Sequence, residues 1–281
     1  MENSRWVDCG GEGSALVFAH ANGFPIGSYE PFLDRLAQSF QVTGWEARPL
    51  IQGTDPREIS GWQSLADDLK IGIDGHFRRP VIGVGHSLGG VVNLLVGASN
   101  PELYRALVLL DPVIFSGFRS LVWGQMKRWG RAHTMPLMVG ALRRRDAWPD
   151  LDTVRRSWTG KAVFKDWTDA AFDAYLEAGL EQDSNSGTVR LRYPKAWEAR
   201  IFEVGPHDVW SEISRISVPV LVLRGEHSDT FTAGAARKFE KKAPNGVCRI
   251  VEGTGHMLPM QRPEVVAQMI EEWLAESTTS T

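Results

Sequence analysis

Val81-Ile82-Gly83-Val84-Gly85-His86-Ser87-Leu88-Gly89-Gly90-Val91-Val92-Asn93-Leu94-Leu95 is the stretch from which the rest of the chain is read. A short apolar run follows Pro80, glycines flank one serine, and apolar residues then resume at helical spacing. That order predicts a strand, a sharp turn and a helix, as a G-x-S-x-G turn requires. Without Cβ atoms, Gly85 and Gly89 let the backbone crowd, so Ser87 can sit at a strained apex with its hydroxyl beyond the strand's carboxyl end. The Leu88 N–H would lie at the helix N-terminus, where unpaired donors favour negative charge. A dinucleotide loop is the rival reading, with Gly83-x-Gly85-x-x-x-Gly89 before a helix and Asp111 ending the next strand. Its last glycine falls one residue too late, and it leaves the other loops unexplained.

Outward from this turn, Ala15–Ala19, Gln41–Ala47, Ala106–Leu110, Val218–Leu223 and Val247–Val251 read as strands. Helical periodicity fills the intervals at about 29–40, 60–77, 88–99, 232–242 and 263–275. Arg5 to Cys9 adds a short strand, and Ser277 to Thr281 a polar tail expected to fray. Strands alternating with helices predict an α/β fold with a mostly parallel, doubly wound sheet. Residues 113–210 break the alternation and hold seven of the chain's 11 tryptophans. They are expected to form an inserted helical cap, leaving 1–112 and 211–281 as the core. The tryptophans either line an apolar pocket or build the cap's own core, and the sequence weighs these evenly. Arg143-Arg144-Arg145 reads as a solvated helix face, with an anionic substrate or partner as the lesser alternative.

The 281 residues carry a net charge of −3, which gives no nucleic-acid footprint. No apolar run is long enough to span a membrane. Met1 to Trp6 has no apolar leader segment, so a cytosolic location is expected. Cys9 and Cys248 are expected to be free buried thiols, and no His/Cys spacing implies a metal or other cofactor.

Parallel strands place their carboxyl ends on one edge, where loops from distant strands converge. Ser87, Asp229 and His256 each follow a predicted strand at that edge. A serine hydroxyl needs a base within hydrogen-bond reach, and His256 would take its proton while a carboxylate holds the imidazole. Taken together, the loop His20-Ala21-Asn22-Gly23-Phe24-Pro25, the elbow Gly85–Gly89, the loop Gly225–Asp229 and Gly255-His256 resemble the α/β-hydrolase superfamily, in its lidded branch. The resemblance spans nearly the whole chain and keeps the family order of oxyanion loop, Ser, Asp and His. It implies one edge strand fewer than the usual sheet. It also implies Ser87, Asp229 and His256 as the triad, with the N–H groups of Asn22 and Leu88 forming the oxyanion hole. Asp111 and Glu226 are the alternative acids, and Gly23 or Phe24 the alternatives to Asn22. His86 is expected to point away from Ser87, and His20 to pin the oxyanion loop.

A serine at the elbow excludes the alkyl-enzyme route of relatives with a carboxylate there. The expectation is therefore a serine hydrolase cleaving carboxylic esters of small to medium apolar substrates through an acyl-enzyme. The same triad also serves a C–C hydrolase or lactonase. A small-molecule binding protein on this fold is the alternative from another class.

Overall fold

Continuous apolar runs call for strands covered on both faces, and the computed structural model, which describes residues 5–78 and 80–279, builds them so. The chain begins with β1 (Arg5–Asp8), β2 (Ser14–Ala19), α1 (Glu30–Ala37) and β3 (Phe40–Glu46). α2 (Gln63–His76) leads into β4 (Val81–His86), the elbow, α3 (Leu88–Ser99) and β5 (Tyr104–Leu110). There follow α4 (Gly117–Arg128), α5 (Pro136–Arg143), β6 (Ala147–Trp148), α6 (Leu151–Trp158) and α7 (Asp169–Ala178). β7 (Leu180–Gln182), β8 (Val189–Leu191), α8 (Lys195–Val204) and α9 (Trp210–Ile213) complete that stretch. β9 (Val220–Gly225), α10 (Ala233–Lys242), β10 (Gly246–Val251), α11 (Leu258–Gln261) and α12 (Pro263–Thr279) follow.

The main sheet runs β1-β3-β2-β4-β5-β9-β10, parallel except for β1, which pairs antiparallel with β3 at one edge. Successive side chains face opposite layers, so β2 sends Val17 and Ala19 to one core and Leu16 and Phe18 to the other. The first core packs under α2 and α3 through Leu65, Leu69, Val91 and Val92. The second lies under α1 and α12 through Phe32, Leu36, Val266 and Ile270. Burying both faces of the central strands fixes their register, because a one-residue slip would exchange the two cores. This register aligns the carboxyl ends of β2, β4, β5 and β9.

The stretch between β5 and β9 is mostly helical but includes a three-stranded antiparallel sheet, β6-β8-β7, absent from the sequence reading. Strands of two and three residues are too short to show a period-two pattern. The tryptophans there divide by role. Trp148 and Trp158 build a local core with Tyr175, whereas Trp197 and Trp210 join the main core beside α3. Trp167 packs on the loop after β2, with its ring 6.1 Å from that of Phe24.

The last helix continues through Thr279, so Ser277 to Thr279 of the expected frayed tail are helical. Ser280 and Thr281, like Met1 to Ser4, lie outside the described residues. Among the described residues no helix is long and apolar enough to cross a membrane.

Candidate active site

The elbow is built by close approach. A Cβ on Gly89 would lie 2.1 Å from the Ala19 carbonyl oxygen, and one on Gly85 would lie 2.4 Å from the Gly89 carbonyl. With both positions bare, β4 turns directly into α3, and Ser87 takes φ 54° and ψ −110° at the apex. The left-handed φ is a strain that the surrounding sheet holds, since the Ser87 N–H donates to the Leu110 carbonyl at 2.9 Å. Ser87 remains 7% exposed, enough for its hydroxyl to face the site.

His256 follows β10 and reaches across the sheet edge. Its Nε2 lies 3.0 Å from Ser87 Oγ, and its Nδ1 lies 2.7 Å from Asp111 Oδ2. Asp111 is wholly buried directly after β5. Its Oδ2 also accepts from Ser228 Oγ at 2.5 Å, and its Oδ1 accepts from the Gly225 N–H at 3.2 Å. With His256, these donors satisfy both oxygens of the buried carboxyl group. The imidazole must then present Nδ1–H to Asp111 and a bare Nε2 to Ser87, the tautomer that accepts a proton.

The carboxylate expected at Asp229 is therefore Asp111 in the folded chain. Asp229 is exposed, and its backbone carbonyl accepts from Arg119. On the turn after β9 the inward-facing position is 228, which carries a hydroxyl, and 229 faces solvent. Glu226 also faces away from the imidazole: its carboxylate accepts from the Gly253 N–H at 2.8 Å and so braces the loop that carries His256.

The loop after β2 is tied from several sides. His20 donates from Nδ1 to the Ala21 carbonyl at 2.8 Å and accepts from the Ala47 N–H at Nε2, 3.1 Å away. Burial lowers its pKa below the ordinary histidine value, in keeping with a neutral ring that both gives and accepts. Asn22 is clamped by its side chain, which donates to the Glu198 carbonyl at 3.0 Å and accepts from the Tyr193 hydroxyl at 2.9 Å. The Phe24 N–H turns to the Ala21 carbonyl at 3.2 Å. The Leu88 N–H begins α3 and has no carbonyl a turn earlier.

His86 belongs to a buried chain of hydrogen bonds that the sequence did not reveal. Its Nε2 donates to the His256 carbonyl at 2.9 Å, and its Nδ1 accepts from the Tyr29 hydroxyl at 2.9 Å. The Tyr29 oxygen in turn accepts from the Ala21 N–H at 3.0 Å. One path of side chains thus joins the loop bearing Asn22 to the backbone of His256. Desolvation, aided by the nearby His256, pushes the His86 pKa well below the usual value, so the ring stays neutral. Tyr29 lies 57 residues from His86, so neighbouring sequence gave no sign of the pairing.

Above this loop, Arg144 pairs with Glu198, Nη2 to Oε2 at 2.8 Å. The central arginine of the triplet read as a solvated face is thus a partner of Glu198, whose pKa is raised by burial despite the cation. Among the described residues no group of three His, Cys, Asp or Glu is placed to hold a metal ion.

A strained elbow serine, a bridging histidine and a buried aspartate at the carboxyl edge of a parallel sheet define a class of fold that comparison bears out. The chain belongs to the alpha/beta hydrolase family, whose model matches residues 16–269. Among relatives, it is 24% identical over 235 residues to "Abhydrolase domain-containing protein AFT2-1" of Alternaria alternata, covering 70% of this chain and 84% of that one. It is 24% identical over 268 residues to the (E)-2-((N-methylformamido)methylene)succinate hydrolase of Acinetobacter baylyi, covering 94% and 91%. Its backbone superposes on the crystal structure of an E-2-(acetamidomethylene)succinate hydrolase with a TM-score of 0.77 at 22% identity, covering 97% and 98%.

Proposed function

We propose that this chain is a serine hydrolase that cleaves carboxylic esters of small to medium apolar substrates through an acyl-enzyme. The observation that carries the reading is the His256 ring, 3.0 Å from Ser87 Oγ on one side and 2.7 Å from Asp111 on the other. Ser87 attacks the ester carbonyl carbon as His256 Nε2 takes its proton. The carbonyl oxygen gains the negative charge and is met by the N–H groups of Asn22 and Leu88, the latter at the positive end of α3. His256 then returns the proton to the departing alcohol. A water activated by the same ring attacks the acyl-enzyme and frees Ser87. Asp111 keeps the imidazole in the useful tautomer and stabilises its cationic form.

Residues 113–210 act in this reading as the cap over the nucleophile. α7 supplies Tyr175, which lies 5.0 Å from Phe24 ring to ring, and with Trp167 it would form an apolar wall beside the oxyanion loop. The free thiols of Cys9 and Cys248, pushed up by burial to about 11 and about 12, take no part. They suit a reducing, cytosolic compartment.

A second reading keeps the three residues and changes the bond. Two of the similar proteins are named for amido-methylene succinates rather than esters. C–C and lactone cleavage also begin with serine attack on a carbonyl. A panel of p-nitrophenyl esters, a lactone, an enamide and a cleavable vinylogous diketone separates the readings. Ester turnover exceeding the others in kcat/KM is the expected result, and diketone or enamide turnover with inert esters would replace the ester reading.

A further inference from the structure

We propose that the outer face of α4 and α5 is a docking surface for an anionic lipid bilayer. α4 turns most of its large apolar side chains outward, where a surface helix ordinarily turns them in, and Trp123 is its buried residue. Its inner face is fastened to the segment before α9: Ser120 Oγ donates to the His207 carbonyl at 2.7 Å, Trp123 Nε1 to that of Gly205 at 3.2 Å, and Lys127 Nζ to that of Gly205 at 2.7 Å. Rotating the helix to hide its other side would break all three. That other side carries Phe118, Leu121, Val122 and Trp129 at helical spacing, and Phe118, Leu121 and Trp129 are 79%, 69% and 66% exposed. α5 continues the apolar surface with Leu137 and Leu142, while its Met138 and Ala141 pack inward with Ala199 of α8.

Charge selects the occupant. From Pro112 to Arg145 the chain has seven Lys and Arg and no Asp or Glu, although the whole protein is net −3. Arg128, Arg131 and Arg143 are exposed around the apolar stripe. A second copy docking by a two-fold contact would bring these cations against themselves. An anionic bilayer accepts both halves of the pattern: Phe, Leu and Trp enter the headgroup boundary while Arg and Lys meet lipid phosphates. Neither helix is long enough to span, so the protein would lie on the surface.

The location links binding to the site. Arg119, on α4, donates to the Asp229 carbonyl on the loop whose Ser228 holds Asp111. Docking would therefore bring the rim of the Ser87 site to the lipid boundary, and the substrate class implied is an ester that partitions into membranes. That consequence rests on the serine hydrolase reading, whereas binding does not.

The test is co-sedimentation of the full chain with vesicles of phosphatidylcholine alone or mixed with phosphatidylglycerol. The anionic lipid is expected to raise partitioning by at least about tenfold, and high salt to reverse the gain. The double variants Leu121→Asp/Trp129→Asp and Arg128→Glu/Arg131→Glu should each lose about tenfold or more with unchanged circular dichroism. Ser87→Ala should bind like the parent, which keeps this result separate from failure of the hydrolase reading. Equal partitioning into both vesicles, or none into either, overturns the proposal. So does a wild-type dimer in sedimentation velocity that the same variants dissolve, which would make a second copy the occupant.

Discussion

Replacing Asp111 by Asn keeps the shape of a buried side chain and removes its charge. Three donors now converge on this carboxylate: His256 Nδ1, Ser228 Oγ and the Gly225 N–H. An amide has one oxygen and one NH2, so its nitrogen must face either a donor or the imidazole. Where it faces the ring, Nδ1 becomes an acceptor and the proton moves to Nε2, the atom 3.0 Å from Ser87 Oγ. A ring protonated there cannot accept the serine proton. Loss of the base with the site geometry retained costs about 10³–10⁴ in kcat, or about 4–5.5 kcal/mol of transition-state stabilisation. The buried donor left unpaired adds a stability loss of about 1–3 kcal/mol, readable as a lower Tm. Asp229→Asn, on an exposed loop, should leave kcat within about twofold and Tm unchanged. The assay is steady-state hydrolysis of a short p-nitrophenyl ester, with circular dichroism to confirm folding. If Asp229→Asn abolishes turnover while folded Asp111→Asn keeps it, the assignment of the acid is wrong.

Other consequences are as direct. Tyr29→Phe removes the hydroxyl between the Ala21 N–H and His86, so kcat should fall by about tenfold with KM little changed; stopped-flow acylation would show the loss in the chemical step. Tyr193→Phe frees the Asn22 side chain on one side and should lower kcat by a similar factor, whereas an unchanged kcat would disconnect that clamp from the oxyanion loop. Burial lowers the pKa values of His20 and His86 below the ordinary histidine value, so acidification protonates the unfolded chain first. Their contribution is present above the unfolded histidine pKa and is lost as pH falls from there toward the folded values, and urea titrations between pH 7 and 5 should show stability declining with acidification. Gly89→Ala drives a methyl into the Ala19 carbonyl and should cost more than about 3 kcal/mol, and a variant with parental Tm would contradict the close approach.

The core was legible because its signals are local. Period-two and period-3.6 patterns set the strands and helices around the elbow to within a few residues, and glycines marked where backbones touch. Ser87 was legible because it ends a strong apolar strand, and His256 because it sits in the glycine-bearing loop after the last strand. The choice between Asp111 and Asp229 was not local. Both follow strands on the same edge, and the outcome depends on which residue of the turn after β9 faces inward. Position 228 does, and it carries no carboxylate. The clamp on Asn22 and the path through Tyr29 and His86 join residues 171 and 57 positions apart, a separation that periodicity does not report. The outward turn of α4's apolar residues was likewise hidden, since only packing reveals which side is covered.

Fluorophosphonate labelling followed by mass spectrometry of the digested protein tests the central claim with the fewest assumptions. The reagent bonds only to a serine made nucleophilic by its neighbours. A single adduct on the peptide carrying Ser87 is predicted, and it should be lost in Ser87→Ala and His256→Ala. A folded wild-type protein that stays unmodified, or that carries its adduct on another serine, would contradict the account.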